Sequence, residues 1–449
     1  MTSLLDQSAL SQLAERLVDA ARKAGADSAD AVAVRGVSTG VEIREGEIEE
    51  SERSEGDDIG LRVFIGRKQA VVSTNDIKAD VNTLAERAVA MARVAPEDKY
   101  AGLADVALLA KTFPDLDLLD ADLPSTATME ARARAAEQAG LAVKGVSKSG
   151  GASASAGIGG MVLVTSHGFH GAYLSSSQSV SMTAIAGEGT GMERDYDYPV
   201  AIHGADLEAA EIVGRNAGER AVARVNPRKT DTGKFPVIFD KRVAGSLIGH
   251  LSGAINGAAI ARKSSFLRDK LGQQIFGGNI AIIDDPLRPR GLRSRPFDGE
   301  GVAARRIAII DGGVLTTWFL DSATARELGM QTTGHASRGV SSAPSPGSTN
   351  MHLEAGTLSL DQMIAEMGTG FYITDLIGSG VNGVTGDYSR GASGYWIENG
   401  AKSYPVSEVT IAGHLNDIFR SLTPASDLEF RHGTNSPSVR IEGLTVAGR

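Results

Sequence analysis

Eight histidines and no cysteine set the chemistry available to this 449-residue chain. Without a thiol, disulfides, thiolate nucleophiles, Fe–S clusters and every Cys-containing zinc site are excluded. His167 and His170 stand three apart in a Gly-flanked, strand-like segment. On a strand that spacing puts them on opposite faces, which argues against a shared metal. His352 and Glu354 fall on one strand face and could share an ion, although a surface or interface pair is the commoner fate of such residues. His414 and His432 have no neighbours at ligand spacing. His250 is different, because it sits inside a run with helical periodicity, GSLIGHLSGAINGAAIARKSS at 245–265.

The glycine motifs are less specific. Gly378-Ser379-Gly380-Val381-Asn382-Gly383 fits G-x-G-x-x-G after an apolar run. A dinucleotide site also needs a helix to open there, so that its N-terminus meets the pyrophosphate. VTGDYSRGASG follows instead, Gly/Ser-rich and without helical period, so we read a loop that other backbone approaches closely and that tolerates added volume. RGASGYW misses the nucleophile elbow by one position, and Gly233-Lys234 runs into Phe235 rather than Ser or Thr. DLDLLDAD at 115–122 lacks the glycine and terminal glutamate of a calcium loop. The acidic stretch Glu47 to Asp58 reads as the solvated face of a hairpin.

The elements that must position these residues fall into three regions. The first, residues 1–110, reads helix, strands, helix. Leu10, Leu13, Leu17, Ala20 and Ala21 recur at helical spacing, with Ser8 or Ser11 as caps and Gly25 as the stop. Leu61, Val63 and Ile65 alternate as in a strand, and Glu45-Gly46 and Gly66-Arg67 mark turns. A helix from about Asp80 to Val94 stops at Pro96. The second region, 111–228, opens on a linker at about 111–125 and repeats the order, with helices predicted over 128–142 and 207–225. The closing helices resemble each other, LAERAVAMARVAP at 84–96 and AGERAVARVNP at 217–227. That points to duplicated units, with coincidence between two Ala/Arg-rich helices as the alternative. The third region, 229–449, is β-rich. Its main helix is predicted from Lys241 to Ile260, a capping box is expected at Ser359 and Gln362, and Asp311-Gly312-Gly313 signals a hairpin. The fold class is α+β.

Composition narrows function further. The 45 basic and 55 acidic residues leave a net charge of −10, which argues against a broad nucleic-acid footprint. No apolar run approaches the roughly 18 residues of a membrane helix. The opening MTSLLDQSALSQLAERL lacks the basic flank and apolar core of a signal peptide. A cytoplasmic protein is expected, with no membrane or direct nucleic-acid contact.

The helix around His250, the run Arg262-Lys263-Ser264-Ser265-Phe266-Leu267, Lys270-Leu271-Gly272-Gln273, GYWIENG at 394–400 and the ending GHLNDIFRSL together resemble the TldD/PmbA family. The resemblance covers essentially the whole chain and is closest to the PmbA (TldE) branch, often labelled a modulator of DNA gyrase. It implies a two-part system. TldD-type subunits carry H-E-x-x-x-H on this helix with a downstream Cys ligand, and PmbA-type subunits pair with them. Laid on that motif, the first His falls at Gly245, the Glu at Ser246 and the second His at His250, while no Cys exists. The i, i+5 ligands would stand about 140° apart on an ideal helix, so the helix would have to bend or unwind there.

The resemblance therefore implies a subunit with no catalytic residue and no cofactor of its own, zinc being expected in the TldD-like partner. The complex would cleave peptides or unfolded segments, with Gly378, Gly380, Asn382 and Gly383 as substrate-contact candidates, since open backbone beside glycines can accept an added strand. A homodimer is a further expectation. Two rival readings are a peptidase active alone through a metal site using His250, His352 or Glu354, and a protein-binding regulator linked to gyrase.

Overall fold

The computed structural model describes residues 5–448. In the first unit α1 (Ser8–Lys23) turns Leu10, Leu13, Leu17 and Ala21 inward, as the period requires. Then follow β1 (Ser28–Arg44), β2 (Glu47–Ile65), β3 (Lys68–Thr74) and α2 (Val81–Val94). Asp80 caps α2 by accepting from the Asn82 and Thr83 N–H groups. The second unit runs α3 (Thr126–Leu141), β4 (Val146–Thr165), β5 (His170–Ala186), β6 (Glu193–Asp197), β7 (Val200–Ala201) and α4 (Ala210–Ala223).

The strands of both units form one sheet, ordered β3-β2-β1-β4-β5-β6, with β7 on β5. At its centre β1 and β4 pair antiparallel, from Asp30↔Thr165 to Ile43↔Ala152. The order reads alike from either edge, so the halves are related by a pseudo-twofold through that pair. The look-alike closing helices occupy equivalent places, α2 and α4. Both helix pairs cover the same face. Ala31 and Val164 pack under α1 and α2, and Val41 and Ala154 pack under α3. Positions 31 and 41 are an even number of residues apart on one strand and so point to one side. The β1–β2 turn, where Glu45 and Gly46 both have positive φ, is held from α3. The buried Glu137 carboxylate accepts both of their N–H groups, each at 2.8 Å.

The third region comprises β8 (Gly233–Phe239), α5 (Lys241–Ala254), α6 (Gly257–Ala261), β9 (Ile282–Asp284), β10 (Ile307–Asp311), β11 (Val314–Leu315), α7 (Ser322–Glu327), β12 (Ala336–Ser337), β13 (Ser345–Pro346) and β14 (Met351–Leu353). It continues through α8 (Leu360–Met367), β15 (Gly370–Ile377), β16 (Asp387–Glu398), β17 (Ala401–His414), α9 (Leu415–Ser421), β18 (Thr423–Pro424), β19 (Thr434–Asn435) and β20 (Val439–Ala447). One sheet runs β17-β16-β15-β8-β20-β18, and β17 also pairs with β20, so it closes on itself. A second runs β11-β10-β9-β14-β19, while β12 and β13 pair with each other. α5 contributes Leu247, Ile248 and Leu251 to the main core. The Ser359–Gln362 capping box is present on α8. The single helix predicted over 241–260 is two helices. Asn256 breaks it by capping a new start, its side chain accepting from the Ala258 N–H and donating to the Pro346 carbonyl. Among the described residues no helix is long and apolar enough to cross a membrane.

The third region docks on the sheet through buried charge. Asp30 of β1 takes Arg62 of β2 at 2.9 Å and Arg338 at 2.5 Å, and the Arg338 side chain is fully covered. Burial alone would raise the Asp30 pKa, but Arg338 and Arg62 outweigh it and hold the carboxyl below its usual range. The contact is close: a Cβ at Gly60 would stand 1.8 Å from the Val340 carbonyl oxygen. Nearby Glu300 is buried and accepts from the Ser322 N–H at 2.8 Å. Burial, then the Asp298 charge, pushes its pKa up to about 7.

Glu300 therefore holds a proton more tightly folded than unfolded. Its contribution to stability is complete below the unfolded value of about 4.5 and is lost as pH rises through about 7. In urea unfolding across that window, the wild type is expected to lose stability relative to Glu300→Gln as pH rises. Parallel curves would refute this linkage.

Candidate functional site

α5 starts at Asp240, whose carboxylate accepts from the Arg242 N–H at 2.8 Å and from the Tyr372 hydroxyl. The helix then continues through Ala254, so the bend that i, i+5 zinc ligands would require between positions 245 and 250 does not occur. The motif positions meet different surroundings. A Cβ at Gly245 would lie 3.3 Å from the Thr434 carbonyl. The Ser246 hydroxyl donates back to Val243 at 2.6 Å. The His250 ring meets Tyr388 of β16 edge-on, centroids 5.9 Å apart. Gly245 and His250 do not converge on a common point.

The surroundings of His250 are unusual. Its Nε2, the Tyr388 hydroxyl and the Arg390 Nε are all buried without a hydrogen-bond partner. Burial lowers the His250 pKa, and the Arg390 charge lowers it further. Burial raises that of Tyr388. A neutral imidazole beside a guanidinium does not fit zinc, since the fixed cation opposes a second one and no carboxylate or thiolate balances it. Among the described residues no group of three or more His, Cys, Asp or Glu is placed to hold a metal. At β14, His352 Nε2 stands 3.5 Å from Glu354 Oε1, but Arg306 also reaches that carboxylate, at 3.7 Å. Burial lowers the His352 pKa despite Glu354, with Arg288 and Arg306 adding to the depression.

The glycine motif joins β15 to β16, an antiparallel pair with no helix between them. Gly378, Gly380, Asn382 and Gly383 are all exposed. The Asn382 side chain is committed to the turn, accepting from the Val384 and Thr385 N–H groups. Gly380 is committed as well, because its carbonyl accepts from Ser389 N–H at 2.7 Å. A Cβ there would stand 2.3 Å from the Ser389 oxygen, so the expected tolerance of added volume at Gly380 is wrong. Gly383 has open space around it. Val381 bridges Tyr388, so the loop reaches His250 through that tyrosine. Tyr388 and Arg390 escaped the sequence reading because DYSRGASG reads as loop. It is the first two thirds of β16, and their i, i+2 spacing on one strand face was the available signal.

Taken together, the paired N-terminal units, the closed β-rich third region and the α5 helix correspond to a known class of metallopeptidase. Models of domain 1, the central domain and the C-terminal domain of PmbA/TldA metallopeptidases match residues 29–92, 119–225 and 232–448. The chain is 40% identical to Metalloprotease PmbA of Escherichia coli O157:H7 over 426 residues, 94% of this chain and 93% of that one. It belongs to the PmbA/TldD family. Against a Metalloprotease TldD homolog of Haemophilus influenzae the identity is 24%, over 58% of each chain. A crystal structure from Bacteroides thetaiotaomicron, of a protein assigned as a candidate modulator of DNA gyrase, superposes with a TM-score of 0.90 at 28% identity and 98% coverage of both chains.

The loop geometry separates two glycines that look equivalent in sequence. Gly380→Ala is expected to lower stability by about 1–3 kcal/mol through overpacking against Ser389, and Gly383→Ala to change it by less than about 0.5 kcal/mol. Thermal unfolding of both variants checks this, and equal effects would contradict it.

Proposed function

We propose that this chain is the non-catalytic subunit of a metallopeptidase complex, working beside a TldD-like subunit that supplies the zinc. The observation that carries this reading is the His250 ring packed edge-on against Tyr388, its Nε2 buried without a hydrogen-bond partner and Arg390 two residues further along the same strand. A histidine packed in this way, with a nearby fixed cation lowering its pKa, is poorly suited to hold a metal at the position where the family resemblance places a ligand. The much higher identity to a PmbA protein than to a TldD homolog supports the assignment to the non-zinc side. Zinc, held by the partner, would polarise the scissile carbonyl and supply a nucleophilic water. This chain would contribute shape and substrate contact. The exposed 378–383 loop presents backbone at Gly378 and Gly383, where no side chain stands in the way of an extended peptide. His250 stays neutral and packed, a structural group beneath that loop.

The purified chain alone is expected to show no chelator-sensitive cleavage of unfolded casein, and mixing it with its TldD-like subunit to produce such cleavage. Cleavage by this chain free of any partner would overturn the proposal. Gly245→His with Ser246→Glu is expected to leave zinc uptake weak, since the Cys is missing and position 245 faces Thr434 rather than His250. Stoichiometric zinc in that variant, read by metal analysis, would show that another side chain completes a site.

A further inference from the structure

Between α4, β6 and the third region lies a cavity of about 600 Å³ that the reading above does not use. Its size is that of a small-molecule site. Segments distant in sequence build it, with α4 and the start of α5 joined by β6, the β15–β17 strands and the 429–436 loop. Each of these last three brings aromatic surface. Tyr196 and Tyr198 remain 42% and 46% exposed although they line an interdomain cleft. Their rings stand 5.7 Å apart, and His432 stacks on Tyr198 at 5.2 Å. Tyr372 and Tyr395 form a second stacked pair at 6.4 Å.

The charges of the cavity are nearly all spent on one another. Asp195 takes Arg224 and Arg242, and Asp197 takes Arg220 and Arg431. Glu429 takes Lys241, and Asp240 caps α5. Glu219, on the exposed side of α4, has no ion-pair partner among the described residues. The cation left over is Lys402. Its ammonium stands 4.4 Å from the Tyr372 ring centre and 5.6 Å from that of Tyr395, with no carboxylate in ion-pair range among the described residues. A cation held over aromatic faces beside further exposed rings is a combination that recognises a flat, anionic ligand.

We propose that this cleft binds an aromatic carboxylate, its ring against Tyr196, Tyr198 and His432 and its acid group on Lys402. Two sources share that chemistry, a free aromatic acid and the aromatic C-terminal residue of a peptide. No residue of the 378–383 loop lines the site, and binding is read on this chain alone, so its test is separate from that of peptidase pairing.

Calorimetric titration of the full chain separates these cases. The probes are N-acetylphenylalanine, an N-acetylated triglycyl-phenylalanine with a free carboxylate, the same peptide amidated, and N-acetylleucine. Saturable binding of the phenylalanine acids is expected, weakened about ten-fold or more by amidation or by the leucine side chain. Lys402→Gln is expected to abolish the preference for acid over amide, and Tyr198→Ala that for phenylalanine over leucine. Tighter binding of the peptide than of the single residue assigns the site to peptide ends, and equal binding assigns it to free acids. Absence of saturable binding at millimolar acid overturns the proposal. So does equal binding of acid and amide by the wild-type chain, a comparison that does not depend on how any variant folds.

Discussion

The antiparallel pairing of β1 with β4 is the constraint on which the other parts of the molecule rest. Each N-terminal unit has one strand that its own partners cannot cover on both edges, and the two units solve this by pairing those strands with each other. Once Asp30↔Thr165 and Ile43↔Ala152 are in register, both helix pairs must lie on the same face. The opposite face is then left to the third region, where Val32 and Leu163 pack with Phe297. A slip of one residue would turn the apolar set of a whole strand to the wrong side.

Asp30 lies at one end of this pairing and links it to the third region. A buried pair is stabilising only while complete. Removing one member leaves a charge without compensation, at a cost of about 3–5 kcal/mol. Here one carboxylate serves an arginine from its own sheet and another from the docked region. The fit of the two halves therefore depends on their charges as well as on apolar area. The same docking creates the cleft beside β6, because that strand meets the third region through Tyr196, which lies under Arg242, and Tyr198, which stacks on His432.

The α5 helix carries its packing residues and its polar residues on different faces. Its apolar face is intact and forms part of the core. The polar positions that a zinc site would need are glycine, serine and a histidine set against tyrosine and arginine. Because the two sets fall on different faces of one helix, the polar positions can vary while the packing is retained.

Much of this was legible in the chain itself. Helical period gave α1, α2, α3 and α4 to within a few residues, since each buries one stripe. Local chemistry gave the capping box at Ser359, since a cap is decided within three or four residues, whereas neither Ser8 nor Ser11 caps α1, whose N-cap is Gln7. The absence of cysteine and the residues at 245, 246 and 250 were read directly. What the chain alone left open are contacts between segments far apart in sequence. The break at Asn256 depends on the Pro346 carbonyl, the crowding of Gly380 on the Ser389 oxygen, and the character of His250 on Tyr388 and Arg390. The Tyr–Lys402 cleft draws on segments from 195 to 436 that have no common spacing. Period and capping are properties of a few neighbouring residues, whereas register, close approach and charge environment exist only once the strands have paired.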